Sequence, residues 1–505
     1  MVSGRGLSLS GFKDGSRGGV VDSSMKAKTV LEDALKGKSH ERSQSEYSIA
    51  TSRLGSRSPC ESLIHAKNTS QQTHYRKVRP RHSLQNQRKG ITVKSIVKAH
   101  SLTGRITPQT VFAAWLAVKR NRGAAGIDKV SISMFEKNLD ANLDSLMRQL
   151  KTGSFQPMPA RRVYIPKAPG KFRPLGIPAV RDRVAQEVLR SLLSPLFEQL
   201  FHDHSYGFRP KRGCHQAVEK VKELHRQGYR YVLDADISGF FDNLSHSAIM
   251  MELSKVVADG NILRLVEKFL SADVMEGGKY QATRVGTPQG GVVSPLLANI
   301  ALNLMDWKLE EAGYRFVRYA DDFVVLCKSE RQAKEALEMI SKLLADQLSL
   351  ALSPEKTHIT TFKKGFAFLG FQIGAWTIRM RDKSKEKFKD KIRQITTRSH
   401  NLDAEMIEEL NRVIRGTANY FTRPWSACGH MYRTLDRWIR MRLRCMKSKR
   451  KSAMDIRCTR LAHFKQMGLL SLSSFIANRV ARTPGALPRG SDSYGVARCK
   501  KVVRC

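Results

Sequence analysis

The sequence lacks the features of a membrane-spanning, secreted or disulfide-stabilised protein. No window of its 505 residues approaches the roughly 18 consecutive apolar residues that a transmembrane helix needs. The first 30 residues contain no apolar stretch of the kind found in secretory signals. The eight cysteines are scattered and form no Cys-x-x-Cys pair, so the sequence does not indicate a zinc site, a redox motif or a disulfide framework. We therefore expect a reducing compartment and no membrane partner.

Acidic residues are few relative to basic ones. The chain has 88 Lys and Arg against 45 Asp and Glu, a formal net charge of +43. Such an excess indicates a polyanionic partner, because binding to phosphates offsets the self-repulsion of the basic side chains. The excess is uneven, since the segment from Trp376 to the C terminus has 31 Lys and Arg against ten Asp and Glu. The composition therefore predicts a nucleic-acid-binding protein with one strongly basic domain.

Composition and periodicity divide the chain into five regions. Residues 1–90 are rich in Ser, Gly, Lys and Arg, which is typical of disorder. Apolar periodicity then predicts helices at 108–119 and 131–150, and from 149 short β-branched runs alternate with helices, which favours an α+β domain with a small antiparallel sheet. The predicted regions are a disordered basic Ser-rich segment (1–90), an N-terminal extension (91–148), the α+β domain (149–375), a basic all-helical domain (376–465) and a basic tail (466–505).

Three carboxylates stand where short strands are predicted to end. Asp236 closes the predicted strand 230–237, while Asp321 and Asp322 lie in the turn of a predicted hairpin, VRYADDFVVL. The apolar flanks are expected to bury this hairpin and fix its acids. Mg²⁺ takes one or two protein carboxylates, and two such ions serve nucleotide transfer by activating a 3′-hydroxyl and neutralising the leaving pyrophosphate. We therefore predict a site for two Mg²⁺ ions at these acids.

The order and spacing of the motifs resemble a reverse transcriptase, specifically one of the group II intron class. The resemblance covers roughly residues 91–460. The matching blocks are RVYIPKAPGKFRPLGIPAV (162–180), SYGFRPKRGCHQA (205–217), VLDADISGFFDNL (232–244), GTPQGGVVSPLLANI (286–300), YADD (319–322), LSLALSPEKT (348–357), FAFLGFQ (366–372) and, in the helical region, 411–421 and LDRWIRMRLR (435–444). The resemblance implies a right-hand polymerase, with fingers and palm at 149–375 and a helical thumb, or maturase domain, at 376–465.

The resemblance also implies roles for individual residues. Asp236, Asp321 and Asp322 would be the catalytic metal ligands. Lys167 and Arg173 would bind the incoming triphosphate. The other implied nucleotide contacts are Phe241, which would exclude a 2′-hydroxyl, Gln289 near the nascent pair, and Lys356, which would protonate the leaving pyrophosphate. The glycine-rich segment 123–128 resembles the loop that covers the template in this family.

The helical domain has a row of arginines. Arg437, Arg440 and Arg444 are spaced by three and four residues, so they share one face of a helix. Leu435, Ile439 and Leu443 share another face, which we expect to pack against a neighbouring helix. We predict that the arginines contact phosphates of the intron RNA or of the template–primer duplex; a salt-bridged surface is the alternative.

Taken with the resemblance, these features imply an RNA-dependent DNA polymerase encoded by a group II intron, which also binds the intron RNA to assist splicing and mobility. Its expected partners are the intron RNA, an RNA template with a DNA primer, target DNA and dNTPs, in the bacterial cytoplasm. Few His and Cys follow Arg460, so an endonuclease-less form is expected. The alternatives are a splicing-only maturase, against which the intact acids argue, and a relative domesticated for defence or CRISPR spacer acquisition.

Overall fold

The computed structural model describes residues 98–168, 170–283, 285–287, 290–397, 402–448 and 459–481. The predicted disordered segment 1–90 and Gln289 lie outside these residues. Within them, no helix is both long enough and apolar enough to cross a bilayer. Strands and helices are mixed along the first part of the chain and helices alone follow, so the α+β fold class is confirmed.

The first layer consists of helices packed around one long buried helix. Thr107 caps the first helix with its hydroxyl, which accepts a bond from the Thr110 amide at 3.3 Å, and Pro108 occupies the first helical position. Trp115 is almost fully buried, and its ring centroid lies 5.2 Å from that of Phe135. The helices of this layer are α1 (Pro108–Asn121), α2 (Ile132–Lys137), α3 (Leu139–Thr152) and α4 (Val180–Glu198).

A small sheet joins two strands that lie between α3 and α4 in the chain to two strands from about a hundred residues later. Its strands are β1 (Ala160–Ala168), β2 (Lys171–Ile177), β4 (Val274–Glu276) and β5 (Lys279–Gln281), in the order β2-β1-β4-β5. β1 and β2 form an antiparallel hairpin in which Ile165 pairs with Arg173. This hairpin carries both of the cations that the sequence assigns to the incoming triphosphate.

The central sheet has four antiparallel strands and is buried on both faces. Its strands are β3 (Tyr231–Asp236), β6 (Arg315–Tyr319), β7 (Asp322–Cys327) and β8 (His358–Thr361), in the order β6-β7-β3-β8. Because side chains alternate along a strand, Val232 and Val324 join one hydrophobic core while Leu233 and Val325 join another. Burial on both faces explains why these strands are nearly continuous apolar runs in the sequence.

In the described part of the chain, six helices connect or cover the central strands. Five of them belong to the core that also contains α1 and α4, and the sixth, α5, packs on the opposite face of the sheet. The helices are α5 (Cys214–Arg226), α6 (Phe240–Asn243), α7 (His246–Ser254), α8 (Gly260–Leu270), α9 (Ser294–Glu311) and α10 (Glu330–Leu343), followed by a π-helical turn (Leu344–Leu348).

The helical domain packs on the central sheet through a second small sheet. Its elements are β9 (Phe366–Phe368), β10 (Phe371–Ile373), β11 (Ile378–Met380), α11 (Asp382–Ile395), α12 (Ala404–Phe421), α13 (Gly429–Ser448), α14 (Leu461–Gln466) and α15 (Leu472–Ala481). Ile414 and Tyr432 of its helices share one core with Val317 and Val324 of the central sheet. The basic domain is therefore joined to the sheet by a continuous apolar contact.

The structure differs from the predicted regions in three places. The predicted helix 131–150 is two helices, because the backbone leaves helical geometry at Asn138. The all-helical region begins at Asp382 rather than at 376, since β11 still pairs with β10. The segment predicted as a tail contains α15, whose first residue, Leu472, is fully buried. The buried carboxylate of Asp436 accepts the Leu472 amide at 2.8 Å and so holds α15 against α13.

Candidate active site

The pairing of β3 with β7 brings the three predicted carboxylates together. Asp236 is the last residue of β3 and stands directly opposite Asp322, the first residue of β7. Directly opposed residues in an antiparallel pair have Cβ atoms about 5 Å apart, so both side chains can reach one cation. Asp321 lies next to them in the tight turn between β6 and β7. The pairing of Tyr319 with Asp322 closes this turn.

A fourth carboxylate, which the sequence analysis missed, belongs to the same group. Asp234 lies two residues before Asp236 on β3, so its side chain points to the same face of the sheet. Its nearest basic group is His358 of β8, whose Nε2 lies 3.8 Å from the carboxylate. The alternation Asp-Ala-Asp in the sequence is the signal that could have identified it.

The acids occupy an environment that disfavours their charge. Burial, followed by the like charges of Asp234, Asp321 and Asp236, raises the pKa of Asp322 to about 7. Burial likewise raises the pKa of Asp234 to about 6, and raises the pKa of Asp321. The four carboxylates repel one another and suit hard divalent cations, which prefer oxygen ligands. A cation bound between them would offset both their repulsion and the cost of burying their charge. The donor set therefore fits the predicted Mg²⁺.

Lys356 already contacts this cluster. Its Nζ lies 2.5 Å from Oδ2 of Asp236, and both side chains are partly exposed. The backbone holds it there, because the Ser353 amide donates to the Asp236 carbonyl at 2.8 Å and the Lys356 amide donates to the Ser353 carbonyl at 3.2 Å. The sequence assigned Lys356 to the leaving pyrophosphate; the structure places its ammonium group beside the acids, and its role in proton transfer stays a prediction.

A buried arginine supports the turn that carries two of the acids. Arg318 is completely buried on the face of the sheet opposite the acids, where it forms an ion pair with Asp306. Its Nη1 also donates to the Ala320 carbonyl at 3.0 Å and to Oδ1 of Asn299 at 2.9 Å. Ala320 has a left-handed backbone (φ +59°), which is unusual for a residue with a side chain and needs such support.

The loop before α5 closes against the same turn. The side-chain amide nitrogen (Nδ2) of Asn299 donates to the Gly207 carbonyl at 2.8 Å. A Cβ atom at Gly207 would lie 2.3 Å from the amide nitrogen of Ala320 and 2.9 Å from the carbonyl carbon of Tyr319. Only glycine allows this approach, so Gly207 determines where the turn sits. The sequence analysis did not identify Gly207 or Arg318.

Two of the predicted nucleotide contacts line a cleft of about 520 Å³. Arg173 enters it from the β1–β2 hairpin and Phe241 from α6, and α11 contributes Lys387. Phe241 is half-buried, and its backbone carbonyl accepts a hydrogen bond from the Thr287 amide at 2.7 Å. Burial and the charge of Asp236 raise the pKa of Asp321, and the positive charge of Arg173 opposes them by lowering it. The cleft that contains Arg173 therefore adjoins the acids. Lys167 lies near the end of β1; its side chain is outside the described residues.

The predicted arginine row of α13 divides into two parts. Arg437 and Arg440, together with Arg433 and Lys465, line a cavity of about 490 Å³ between α13, α14 and α15. Burial and the neighbouring charges of Arg444 and Arg437 lower the pKa of Arg440. Arg444 instead donates from Nε to the Thr459 carbonyl at 3.0 Å and stacks over the Phe464 ring. Arg444 thus joins α13 to the segment that follows, while Arg437 is exposed.

Comparison with known proteins matches two domains to these two parts of the chain. The family described as "Reverse transcriptase (RNA-dependent DNA polymerase)" matches residues 165–373, and "Group II intron, maturase-specific domain" matches residues 385–460. Protein YkfC of Escherichia coli K12 is 36% identical over 286 residues, which are 49% of this chain and 75% of that protein. The chain belongs to the group II intron-encoded reverse transcriptase and maturase family. It is an RNA-directed DNA polymerase with an intron-associated function.

Two further relatives are named as intron proteins. The group II intron-encoded protein LtrA of Lactococcus lactis subsp. cremoris is 28% identical over 417 residues, covering 63% of this chain and 69% of LtrA. Nuclear intron maturase 1, mitochondrial, of Arabidopsis thaliana is 28% identical over 213 residues, covering 32% of this chain and 29% of that protein. A solved structure titled "Cas6-RT-Cas1--Cas2 complex" is similar with a TM-score of 0.32 and 22% identity, covering 49% of this chain and 27% of that chain.

A second group of potential metal ligands is poorly suited to a metal ion. Among the described residues, His202, His204 and Glu310 bring ligand atoms within 4.8 Å of one another. Nδ1 of His202 already accepts the His204 amide at 3.0 Å, and both oxygens of Glu310 accept from Arg315. Arg318 and Arg315 add positive charge beside the two imidazoles. The two imidazole rings contact Phe316 of the central sheet, with ring centroids 4.8 Å and 5.8 Å from that of the Phe316 ring.

The close approach at Gly207 generates a test of the turn. Gly207→Ala should lower primer extension by about a hundredfold, because a shift of the turn by about an ångström moves Asp321 and Asp322 out of position. The measurement is steady-state cDNA synthesis, with thermal unfolding as the check on the fold. Gly104→Ala is the matched control, since a Cβ there meets nothing within 4 Å. Normal activity in Gly207→Ala would contradict the assigned role.

Proposed function

We propose that this reverse transcriptase extends a DNA primer on an RNA template by two-metal phosphoryl transfer at Asp236, Asp321 and Asp322. We further propose that its helical domain binds group II intron RNA and thereby assists splicing and mobility, with intron DNA targets as further partners. The observation that carries the first part is the direct pairing of Asp236 with Asp322, beside the turn residue Asp321. The matched maturase-specific domain supports the second part.

The acids would hold two Mg²⁺ ions. When bound, such ions lower the pKa of the primer 3′-hydroxyl and stabilise charge on the departing pyrophosphate. The chain's own contribution is to hold the carboxylates in one fixed arrangement: the strand pairing sets Asp236 and Asp322, and Arg318 fixes the turn. Asp234 adds negative charge behind the ligands and would raise the affinity of the site for cations.

The cleft beside the acids suits a nucleoside triphosphate. Arg173 offers a planar fork of donors to phosphate, and Lys167 would add a point charge from the same hairpin. The Phe241 ring forms the wall that a sugar would meet, and its backbone is anchored by Thr287. Lys356 stands close enough to the acids to give a proton to the leaving pyrophosphate, and Gln289 would contact the nascent pair.

The cavity in the helical domain suits an RNA backbone. Arg433, Arg437, Arg440 and Lys465 gather four positive charges around it, while the carboxylate of Asp436 is engaged with the start of α15. Burial, with the like charges of Arg444 and Arg437, lowers the pKa of Arg440, and a polyanion bound between these side chains would offset their repulsion. Phosphates of the intron RNA or of the template–primer duplex would supply that charge.

Removal of a metal ligand gives the first test. Asp321→Ala or Asp322→Ala should lower cDNA synthesis at least about a thousandfold, because several kcal/mol of barrier depend on the bound cations. Intron binding and splicing should be largely retained, since they depend on the basic surfaces. Asp346→Ala, at an exposed acid in the π-helical turn, is the control. Primer extension within tenfold of wild type would show that these residues are not metal ligands.

Sugar selection tests the role of Phe241. Phe241→Ala should lower the ratio of kcat/KM for a dNTP to that for the matching rNTP, because removing the ring admits a 2′-hydroxyl. Activity with dNTPs should remain measurable, since the acids are untouched. Phe112→Ala, at a half-exposed ring on α1, should leave the ratio unchanged. An unaltered ratio in Phe241→Ala at normal overall activity would mean that Phe241 contributes only to packing.

The salt dependence of RNA binding tests the arginines of α13. Arg437→Gln with Arg440→Gln should weaken binding at moderate salt and flatten the slope of log K against log salt by up to about two units. Arg444→Gln is the comparison, because its guanidinium holds the Thr459 segment; it should lower the melting temperature more than the slope. Equal slopes for the double variant and wild type would mean that the RNA lies on another surface.

A further inference from the structure

The most exposed large apolar side chain among the described residues is Trp376, which is 97% accessible. It stands at the tip of the hairpin formed by β10 and β11, where the Gly374 amide donates to the Thr377 carbonyl at 2.9 Å. The next most exposed ring in the described part of the chain, that of Tyr280, is 64% accessible. A hydrogen-bonded hairpin therefore presents a bare indole to solvent, although burying it would be favourable.

Two exposed lysines lie in the turn next to this hairpin. The turn between β8 and β9 contains Lys363 and Lys364, both exposed, and ends at Gly365. The pairing of β9 with β10 brings this turn next to Trp376's hairpin, since the Cα of Gly374 lies 3.9 Å from a Cβ built at Gly365. No acidic residue occurs in the sequence between Glu355 and Asp382. We name Lys363, Lys364 and Trp376 the hairpin surface.

The hairpin surface is at the end of the central sheet remote from the acids. β8 runs antiparallel to β3 and pairs Thr361 with Tyr231, whereas Asp236 is the other end of β3. Five residues of strand span about 17 Å, so the hairpin surface is separate from the cluster of acids. Arg230 and Lys328, both exposed, lie at the same remote end and extend the positive charge.

We propose that the hairpin surface binds a loop or bulge of the intron RNA, with an unpaired base stacked on Trp376 and adjacent phosphates on Lys363 and Lys364. Folded RNA exposes unpaired bases next to dense phosphate, which duplex DNA does not. Stacking needs an open aromatic face, and lysines bind phosphate as point charges. This inference rests on the proposed binding of intron RNA and assigns it a contact outside both the active-site cleft and the cavity of the helical domain.

The test uses the full chain and an in vitro transcript of the intron that surrounds its reading frame. Trp376→Ala should weaken binding of this RNA about tenfold, and Trp376→Phe should restore most of the affinity. The double variant Lys363→Gln with Lys364→Gln should flatten the slope of log K against log salt by about one to two units, because each lost phosphate contact lowers the slope by about one unit. Primer extension on poly(rA)–oligo(dT) should stay within twofold of wild type for all three proteins. Phe112→Ala serves as the exposed-ring control.

Each other outcome counts against the proposal. Unchanged RNA affinity in both the Trp376→Ala and the lysine variants overturns it. Equal losses in affinity and in poly(rA)–oligo(dT) extension would place the surface in the template path instead. A change from dimer to monomer in Trp376→Ala at unchanged RNA affinity would make it a contact between copies of the chain. If the wild-type chain does not prefer its intron transcript to an unrelated RNA of equal length, the proposed intron binding itself fails and this inference with it.

Discussion

The register between β3 and β7 sets two carboxylates, Asp236 and Asp322, directly opposite each other in a buried sheet. This arrangement is unfavourable in itself, because like charges face each other where water is scarce, and the raised pKa of Asp322 reflects both effects. It persists because the side chains of β3 and β7 pack into a separate core on each face of the sheet, so a slip of one residue would move every side chain into the other core. The stability of the sheet thus holds a repulsive pair ready for cations.

The remaining parts of the site depend on that sheet. On the face opposite the acids, Arg318 connects α9 to the turn, and Gly207 brings the preceding loop against it. On the face that carries the acids, the helical domain shares a core with the strands. Within the described residues, the active-site sheet and the basic helical domain are therefore joined by one continuous apolar core.

The central strands and their acids could be predicted from sequence because local signals coincide: β-branched runs, turn residues and a recognisable order of motifs. Other features depend on contacts between distant residues. Nothing near Asp436 in the sequence shows that its carboxylate caps a helix beginning at Leu472, or that Arg444 binds the Thr459 carbonyl. The break at Asn138 was hidden because apolar periodicity continues across it. Asp234 could have been predicted from the sequence, since it lies two residues before Asp236 and so shares a strand face with it.

The central claim is that divalent cations bind at the paired acids, and metal-directed cleavage tests it most directly. Fe²⁺ substituted for Mg²⁺ in the presence of ascorbate and peroxide cuts the backbone close to the bound ion, and mass spectrometry locates the cuts. The account predicts cleavage around 234–236 and 320–322, suppressed by excess Mg²⁺ and lost in Asp322→Ala. Cuts around 202–204 and 310, or Mg²⁺-sensitive cuts that persist in Asp322→Ala, would contradict it.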